Sequence, residues 1–388
     1  MFSSRVSGAL SLNRLSAVLA ARRAGGGAVI DLTVTNPTTV GIPYPADILV
    51  PLADVRGSTY QPEPFGLATA RRAVAADYAR RGISVAESRI VLTASTSEAY
   101  SVLFKLLCAP AGDDVLVPAP SYPLFDHLTQ LDGVISRQYL LAYHGRWELD
   151  ADSVDGAWTD RTRAVLAVSP NNPTGSLLSS GEIEALSSRC AGRGAALIVD
   201  EVFADYTFGP ADACRPSVSG RDCLTFYLGG LSKSAGLPQV KLGWIRVGGP
   251  DDLVAEALAR LELISDTYLS VSTPVQVAAP ALIEGGAEIR EQLRERILAN
   301  YAALQVAAAT HPSVELLAAE GGWSAVVRVP FTGSEEDLVI ALLTERGVLV
   351  HPGFFFDFPH EAFLVLSLLP ELSVFREGVA RLMEHVVE

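Results

Sequence analysis

Short apolar runs alternate along this chain with segments of helical periodicity. Residues 164–168 and 195–199 contain no polar side chain, which is typical of strands buried on both faces of a parallel sheet. The same pattern, read together with turn and capping signals, predicts further strands and helices. The other predicted strands are residues 29–34, 89–93, 114–118, 139–143, 223–228 and 242–247, and the predicted helices are 13–23, 67–81, 99–107, 179–189 and 251–264.

The C-terminal part of the chain follows a different order of elements. Pro274 and Pro280 are expected to mark the crossover into a second domain, since proline interrupts helices. Ser373 is placed to cap the last helix through its side-chain oxygen. The predicted elements here are a helix at 283–309, strands at 325–329, 348–350 and 363–369, and helices at 335–345 and 374–387.

The composition is that of a globular protein with a large core. Of the 388 residues, 49% are hydrophobic and 19% are charged, whereas disordered chains are poorer in apolar residues. The formal net charge of −14 argues against nucleic acid and anionic membrane surfaces as partners, because both are themselves negative. No run of eighteen apolar residues is present to span a membrane, and no signal peptide is expected at the N-terminus.

The cysteines show no metal-binding or disulfide motif. Cys108, Cys190, Cys214 and Cys223 lie far apart and form no Cys-x-x-Cys or Cys/His cluster. We therefore expect free, mostly buried thiols, no metal site, and a reducing cytoplasmic location.

A segment rich in Gly, Ser and Pro, residues 228–244 (LGGLSKSAGLPQVKLGW), is predicted to be a loop rather than a helix. It holds Lys233 and Lys241, two of the three lysines in a chain that otherwise uses arginine. An amine can form a Schiff base with an aldehyde, whereas a guanidinium cannot. The alternative is that these are solvated loop lysines.

Three polar turns follow predicted strands. Ser95, Thr96 and Ser97 lie between a strand and a helix, where free N–H groups and the positive helix end attract anions. Asn172 and Asp200 each follow a buried strand, at the edge where α/β sheets bind ligands. The alternatives are ordinary helix capping for the first turn and for Asp200, and a tight turn around Asn172.

These motifs, in this order, resemble those of class I/II aminotransferases, which are fold-type I pyridoxal-phosphate enzymes. Ser232-Lys233 is followed eight residues later by Lys241, where the family usually has the arginine that binds the cofactor phosphate. The resemblance implies that Lys233 forms the Schiff base (the internal aldimine) and shuttles a proton. It further implies that Asn172 donates to the phenolic oxygen and that Asp200 pairs with the pyridinium nitrogen.

The resemblance extends to the other cofactor contacts. It assigns the phosphate cradle to Ser95, Thr96 and Ser97, and the stacking aromatic residue to Tyr122. Tyr60 matches a tyrosine that reaches across a dimer interface to the neighbour's phosphate.

Substrate contacts are implied at two loops. Asn36 lies in the loop at the mouth of the site, although an asparagine capping a turn before Pro37 is the alternative. Residues 351–356 (HPGFFF) match the family's entrance segment, where Phe354 and Phe356 are expected to line an apolar pocket.

Two positions depart from the family pattern. Val365 stands where an arginine usually clamps the substrate carboxylate, so another residue recognises that group or the substrate lacks it. Phe203 stands where the family usually has a tyrosine that hydrogen-bonds to the phenolic oxygen.

The resemblance therefore implies an α/β fold of fold type I. A large domain (46–280) would hold a mostly parallel, seven-stranded type of sheet, and a small α+β domain (1–45 and 281–388) would form from both termini. The implied protein is a cytoplasmic homodimer that binds pyridoxal phosphate and transfers an amino group from an amine or amino acid to an oxo acid.

Two other functions stay open at this point. One is a non-transaminating enzyme on the same fold, namely a lyase, decarboxylase or cyclase. The other is a non-catalytic cofactor-binding module like that of regulators with a DNA-binding head, although no basic head is expected before residue 28.

Overall fold

The structure is a computed structural model that describes residues 2–6, 12–209, 222–330, 333–360 and 362–387. It confirms the α/β fold predicted from the sequence. In chain order the strands are β1 (Ile30–Asp31), β2 (Ile90–Thr93), β3 (Asp114–Ala119), β4 (Ile135–Tyr143), β5 (Trp147–Leu149), β6 (Thr162–Val168), β7 (Ala196–Asp200), β8 (Thr225–Gly230), β9 (Gly243–Gly248), β10 (Glu315–Leu316), β11 (Ser324–Arg328), β12 (Val348–Leu349), β13 (His351–Pro352) and β14 (Phe363–Ser367).

Helices cover the sheets and form the outer layers. In chain order they are α1 (Arg14–Ala24), α2 (Ala68–Arg80), α3 (Thr96–Leu107), α4 (Leu124–Asp132), α5 (Ala151–Ala157), α6 (Ser180–Arg193), α7 (Leu231–Ser234), α8 (Asp251–Tyr268), α9 (Thr273–Ala309), α10 (Glu335–Ala341) and α11 (Leu372–Val387).

The large sheet has eight strands among the described residues, in the order β2-β9-β8-β7-β6-β3-β4-β5, rather than the seven expected. Strands β8, β7, β6, β3 and β4 are parallel. Strand β9 pairs antiparallel with both β8 and the edge strand β2, and β5 pairs antiparallel with β4 at the other edge. In the register, Asp200 lies beside Val168 on one side and Leu228 on the other. The carboxyl ends of the central strands therefore lie at one level, which places their following turns side by side.

Helix α6 shows how the sequence fixes these layers. Ser179 and Glu182 form a reciprocal capping box at its start, and Gly194 in the left-handed conformation ends it. Its apolar face buries Ile183 and Leu186 against the central strands. Burying each such side chain stabilises the fold by about 1.5 to 3 kcal/mol, so this face decides how the helix packs.

A smaller set of strands lies beside the large sheet. Strands β10, β11, β14 and β13 form an antiparallel sheet, and β1 pairs in parallel with β12. Strand β1 comes from the N-terminal part of the chain and β12 from the C-terminal part. The division into domains at residues 45 and 280 stays a prediction.

Two helix boundaries correct the sequence predictions. Pro280 does not mark a break, because α9 begins at Thr273 and continues through it to Ala309. Ser373 is not the cap of the last helix, because α11 begins at Leu372 and the Ser373 hydroxyl donates to Glu371 Oε1 (2.9 Å). In both places the local signal of a single residue does not fix the helix boundary.

Two of the described cysteines match the expectation of free thiols: Cys190 is buried, Cys108 is half-buried, and neither forms a disulfide. Cys223 is buried as well. Cys214 lies outside the described residues. Within the described part of the chain, none of the helices combines the length and the apolar character that crossing a bilayer requires.

Candidate active site

A cavity of about 420 Å³ lies between the carboxyl edge of the large sheet and the strands of the smaller one. Val168, Asp200 and Gly230 bring the ends of β6, β7 and β8 to it, and Ser324 and His351 bring β11 and β13 from the opposite side. The cavity collects most of the residues predicted to bind the cofactor or substrate. Those residues are Ser95, Thr96, Ser97, Tyr122, Asn172, Asp200, Ser232, Lys233, Lys241 and Phe356.

Lys233 lies on α7, a helix of four residues in the segment that the sequence predicted to be a loop. So short a helix cannot satisfy its own carbonyl groups, and side chains from three distant segments donate to the carbonyls in and just after it. These bonds run from Tyr206 Oη to Lys233 O (2.7 Å), from Arg290 Nε to Ser234 O (2.6 Å) and from Tyr44 Oη to Gly236 O (2.6 Å). Tertiary contacts therefore hold Lys233 in place, which local composition does not reveal.

The amine of Lys233 lies among aromatic rings. Its Nζ atom is 4.7 Å from the ring centroid of Trp323 and 5.7 Å from that of Phe203. Burial lowers the pKa of Lys233 to about 8, against the opposing influence of the Asp200 carboxylate. A substantial fraction of the amine is therefore neutral near pH 8, and the neutral amine is the form that attacks a carbonyl.

Asp200 is 7% exposed and accepts two hydrogen bonds. Val202 N donates to its Oδ1 atom (3.0 Å) and Tyr100 Oη donates to its Oδ2 atom (2.8 Å). Burial raises the pKa of Asp200 to about 6, and these two bonds oppose that rise. Most of the Asp200 population is therefore ionised at neutral pH.

Tyr100 is a site residue that the sequence analysis missed. It lies one helical turn after Thr96 on α3, so it faces the same side of the helix as the anion-binding turn. Burial, with the Asp200 carboxylate beside it, raises the pKa of Tyr100 well above its ordinary value. It therefore stays protonated and can donate to Asp200. The i, i+4 spacing from Thr96 was the signal that could have found it.

The first turn of α3 forms the anion-binding end of the cavity. Ser95 caps the helix, with its Oγ atom accepting from Glu98 N (3.1 Å), so the capping interpretation of this residue is correct as well. Thr96 and Ser97 follow at the positive end of the helix. Lys241 also lines the cavity, and its own backbone lies in the left-handed region, with a φ of 61°.

A glycine allows the two turns at this end to approach each other. A Cβ atom on Gly243 would lie 2.9 Å from the carbonyl carbon of Ser95. A larger residue would push the lysine segment away from the α3 turn, so Gly243 sets the width of the anion-binding end.

Asn172 is oriented by a neighbour on the smaller sheet. Its Oδ1 atom accepts from Ser324 Oγ (3.2 Å), which leaves its Nδ2 group able to donate into the cavity. The arrangement suits an acceptor oxygen on a bound molecule.

Three predicted residues are not among those that line this cavity. Tyr60 is 72% exposed and lines a different cavity, beside the connection between α8 and α9. Asn36 caps a 3₁₀ turn, with its Oδ1 atom accepting from Thr38 N (3.1 Å), as the turn-capping alternative requires. Phe354 is 43% exposed, and Phe355 lines the cavity in its place.

The wall around Val365 is apolar. Val365 is 2% exposed, is paired in register with Val326 and His351, and packs in a cluster with Trp147 and Phe358. Burial lowers the pKa of His351, so its imidazole is mainly neutral at pH 7. No arginine is found among the described residues that line the cavity.

The fold and this site define a fold-type I enzyme, and comparison with known proteins identifies its family. A model of the aminotransferase class I and II family matches residues 52–374. The chain belongs to this family, whose members are pyridoxal-phosphate-dependent transferases.

Individual relatives are distant. Nicotianamine aminotransferase B of Hordeum vulgare is 30% identical over 233 residues, which are 58% of this chain and only 42% of that protein. Glutamate-pyruvate aminotransferase AlaA of Haemophilus influenzae is 24% identical over 370 residues, which are 92% of this chain and 90% of that protein. The solved structure of alanine aminotransferase from Pyrococcus furiosus matches over the whole of both chains with a TM-score of 0.87 and 24% identity. These similarities confirm the predicted fold type.

The residues present fit the family's cofactor. The anion-binding end of the cavity is lined by the α3 turn, Ser232 and Lys241. The close approach at Gly243 brings the α3 turn and the lysine segment together there. A buried carboxylate and a buried amine of lowered pKa lie in the same cavity. These groups match the phosphate, the ring nitrogen and the aldehyde of pyridoxal phosphate.

Proposed function

We propose that this cavity is the active site of a pyridoxal-phosphate-dependent aminotransferase that uses an amine or amino acid donor and an oxo acid acceptor. The observation that carries the proposal is that the Lys233 amine, the Asp200 carboxylate and the α3 N-terminus share one cavity. Family membership supports transamination over the lyase, decarboxylase or cyclase alternative.

Bound pyridoxal phosphate supplies an aldehyde for amines and an electron-withdrawing ring that stabilises a carbanion at the substrate carbon. In this proposal Ser95, Thr96, Ser97, Ser232 and Lys241 hold the phosphate by charge and by hydrogen bonds.

The remaining groups hold the ring and move the proton. Asp200 would offer its negative charge to the ring nitrogen, and Tyr100 fixes the orientation of that carboxylate through its 2.8 Å hydrogen bond. Asn172 would donate from Nδ2 to the phenolic oxygen, and Tyr122 would hold the ring. The Nζ atom of Lys233 takes the proton that leaves the substrate carbon and then returns it.

Val365 shapes the choice of substrate in this proposal. A carboxylate buried beside Val365 and Phe356 without a cation would cost several kcal/mol. Lys233 and Lys241 are already engaged in catalysis and phosphate binding. The relative AlaA of Haemophilus influenzae, which is covered over 90% of its length, is named for glutamate and pyruvate, whereas this chain is proposed to prefer an amine or a bulky apolar donor. Asn36, Phe354 and Phe356 remain the predicted substrate contacts, together with Phe355.

The proposed assembly is a homodimer in the cytoplasm. Tyr60 is exposed, and so are two apolar residues that precede it in the sequence, Val50 and Val55. Exposed apolar residues of this kind are typical of a protein interface, and a neighbouring subunit would bring Tyr60 to the partner's phosphate. The thiols of Cys108 and Cys190, which form no disulfide, support a reducing compartment.

The proposal is tested by locating the cofactor on the chain. The protein is reconstituted with pyridoxal phosphate, reduced with borohydride, digested, and mapped by mass spectrometry. The cofactor is expected on Lys233. A Lys105→Ala variant, which removes an exposed lysine of α3, is the matched control and should label as the unaltered protein does. A label on Lys241 or Lys105 would refute the proposal.

A further inference from the structure

Trp323 makes a contact with Lys233 that neither the motifs nor the family match assigns. The Lys233 Nζ atom lies over the indole ring, 4.7 Å from its centroid, and Trp323 also lines the cavity. The ring of Phe203 is a full ångström farther from the same atom, at 5.7 Å. An ammonium within about 6 Å of an aromatic face is attracted by the electron density of the ring, and tryptophan provides the strongest such attraction.

Neighbouring rings hold the indole in this position. Trp323 is 2% exposed, and its ring meets those of Phe203 and Tyr206 edge-on, at centroid distances of 5.4 and 5.2 Å. Tyr206 also donates to the carbonyl of Lys233. One aromatic cluster therefore fixes both the backbone of the lysine and the ring that its amine faces.

Backbone contacts fix the segment that carries the ring. Gly322 N donates to Tyr206 O (2.8 Å), and Leu368 N donates to Trp323 O (2.8 Å). A Cβ atom on Gly321 would lie 2.6 Å from Tyr206 O, so the glycine is needed for this close approach. Trp323 is thus held in place before any ligand binds.

We propose that Trp323 is a positioning residue for the reaction, whose indole face holds the Lys233 ammonium whenever that amine carries a proton. The inference rests on the proposed function of Lys233. A lysine that takes a proton from the substrate carbon becomes an ammonium in a site of low polarity. The indole face stabilises that charged state at close range, in addition to the Asp200 carboxylate in the same cavity, and keeps Nζ in place for the proton transfer.

The test varies the electron density of the ring while keeping its shape. Fluorinated tryptophans with one to four fluorines are placed at position 323 by genetic-code expansion. The pH dependence of acetylation of Lys233 by limiting acetic anhydride is then measured in the cofactor-free protein by mass spectrometry. Other titratable side chains share the cavity but are identical throughout the series. They are Asp200, Tyr100, Tyr122, Lys241 and His351.

The pKa of Lys233 should fall with each added fluorine, by about half a pH unit to one pH unit over the series. The pH midpoint of pyridoxal phosphate binding should move with it. Trp158 is the matched control, because its ring also faces a cation, Arg193, at 4.6 Å, but does not line the cavity. Fluorination of Trp158 should leave Lys233 unchanged.

The outcomes separate this inference from the proposed function. If the pKa of Lys233 is the same in every fluorinated Trp323 variant, and the cofactor still attaches at Lys233, the role of Trp323 alone is overturned. Attachment of the cofactor to a different lysine would overturn the proposed function and, with it, the positioning role.

Discussion

The two ends of the active-site cavity differ in how closely they follow the family pattern. At the cofactor end, Lys233, Asp200, Asn172 and the α3 turn all reach the cavity from the positions that the motifs predict. At the substrate end, Val365 stands in place of an arginine, and the apolar wall beside it includes Phe356. The difference suggests that the chemistry of the family is retained while the group it recognises has changed.

The two ends are also built differently. The cofactor end depends on strand ends and a helix N-terminus, so the backbone places its groups. The substrate end depends on side-chain packing between β11, β13 and β14. A few substitutions in such packing can alter specificity without disturbing the cofactor, and the following predictions use that separation.

The largest effect is expected at the cofactor end. Asp200→Ala should leave the fold intact but lower turnover by about three orders of magnitude, because the ring nitrogen loses its charged partner. Steady-state kinetics and circular dichroism check this. Asp252→Ala, which removes an exposed carboxylate on α8, should behave as the unaltered protein does. Near-normal turnover in Asp200→Ala would show that Asp200 only caps the turn that follows β7, through its bond from Val202 N.

The pH dependence of cofactor binding also tests the cofactor end of the cavity. With the pKa of Lys233 at about 8, about 1% of the amine is neutral at pH 6, about 10% at pH 7 and about half at pH 8. The second-order rate of reconstitution should therefore rise about fiftyfold from pH 6 to pH 8 and then level off. Nα-acetyl-lysine, measured in parallel, corrects for titration of the cofactor itself. A rate that keeps rising up to pH 10 would contradict the lowered pKa.

The substrate end is tested by restoring the missing cation. Val365→Arg should raise kcat/KM for aspartate or glutamate, relative to a plain amine, by about tenfold or more, because a charged hydrogen bond replaces an apolar contact. Val365→Met controls for added length without charge. Equal changes in both variants would show that position 365 does not contact the carboxylate.

The smallest expected effect concerns Phe203. Phe203→Tyr should lower the apparent pKa of the Schiff base at Lys233 by about one unit or less, as measured by a spectral titration of the reconstituted protein. The new hydroxyl can donate to the phenolic oxygen and stabilise its negative charge. Phe355→Tyr adds a hydroxyl to another ring that lines the cavity and serves as the control. No change, or a rise, would contradict the assigned geometry around Phe203.

Sequence patterns predicted the central strands and most of the residues that line the cavity, because buried parallel strands are wholly apolar and their polar turns stand out. They failed where distant contacts decide the structure. Tyr206, Arg290 and Tyr44 donate to the carbonyls in and just after α7, and all three lie far from it in the sequence. Helix α9 runs through Pro280, where the local signal predicted a boundary.

Two site residues escaped prediction for a similar reason. Tyr100 is one of several buried residues on α3, and its place in the site is seen only from its hydrogen bond to Asp200. Trp323 lies far from Lys233 in the sequence, and only the fold brings its ring under the amine.

The apolar substrate end is tested most directly by comparing donors that differ only in the carboxylate. The reconstituted protein is mixed in a stopped-flow spectrometer with phenylalanine or 2-phenylethylamine, without an acceptor, and the loss of cofactor absorbance is followed. The same is done with aspartate and glutamate. We expect 2-phenylethylamine to convert the cofactor faster and at lower concentration than any of the three amino acids. Rapid and tight conversion by aspartate or glutamate would show that another group binds the carboxylate and would contradict the apolar substrate end.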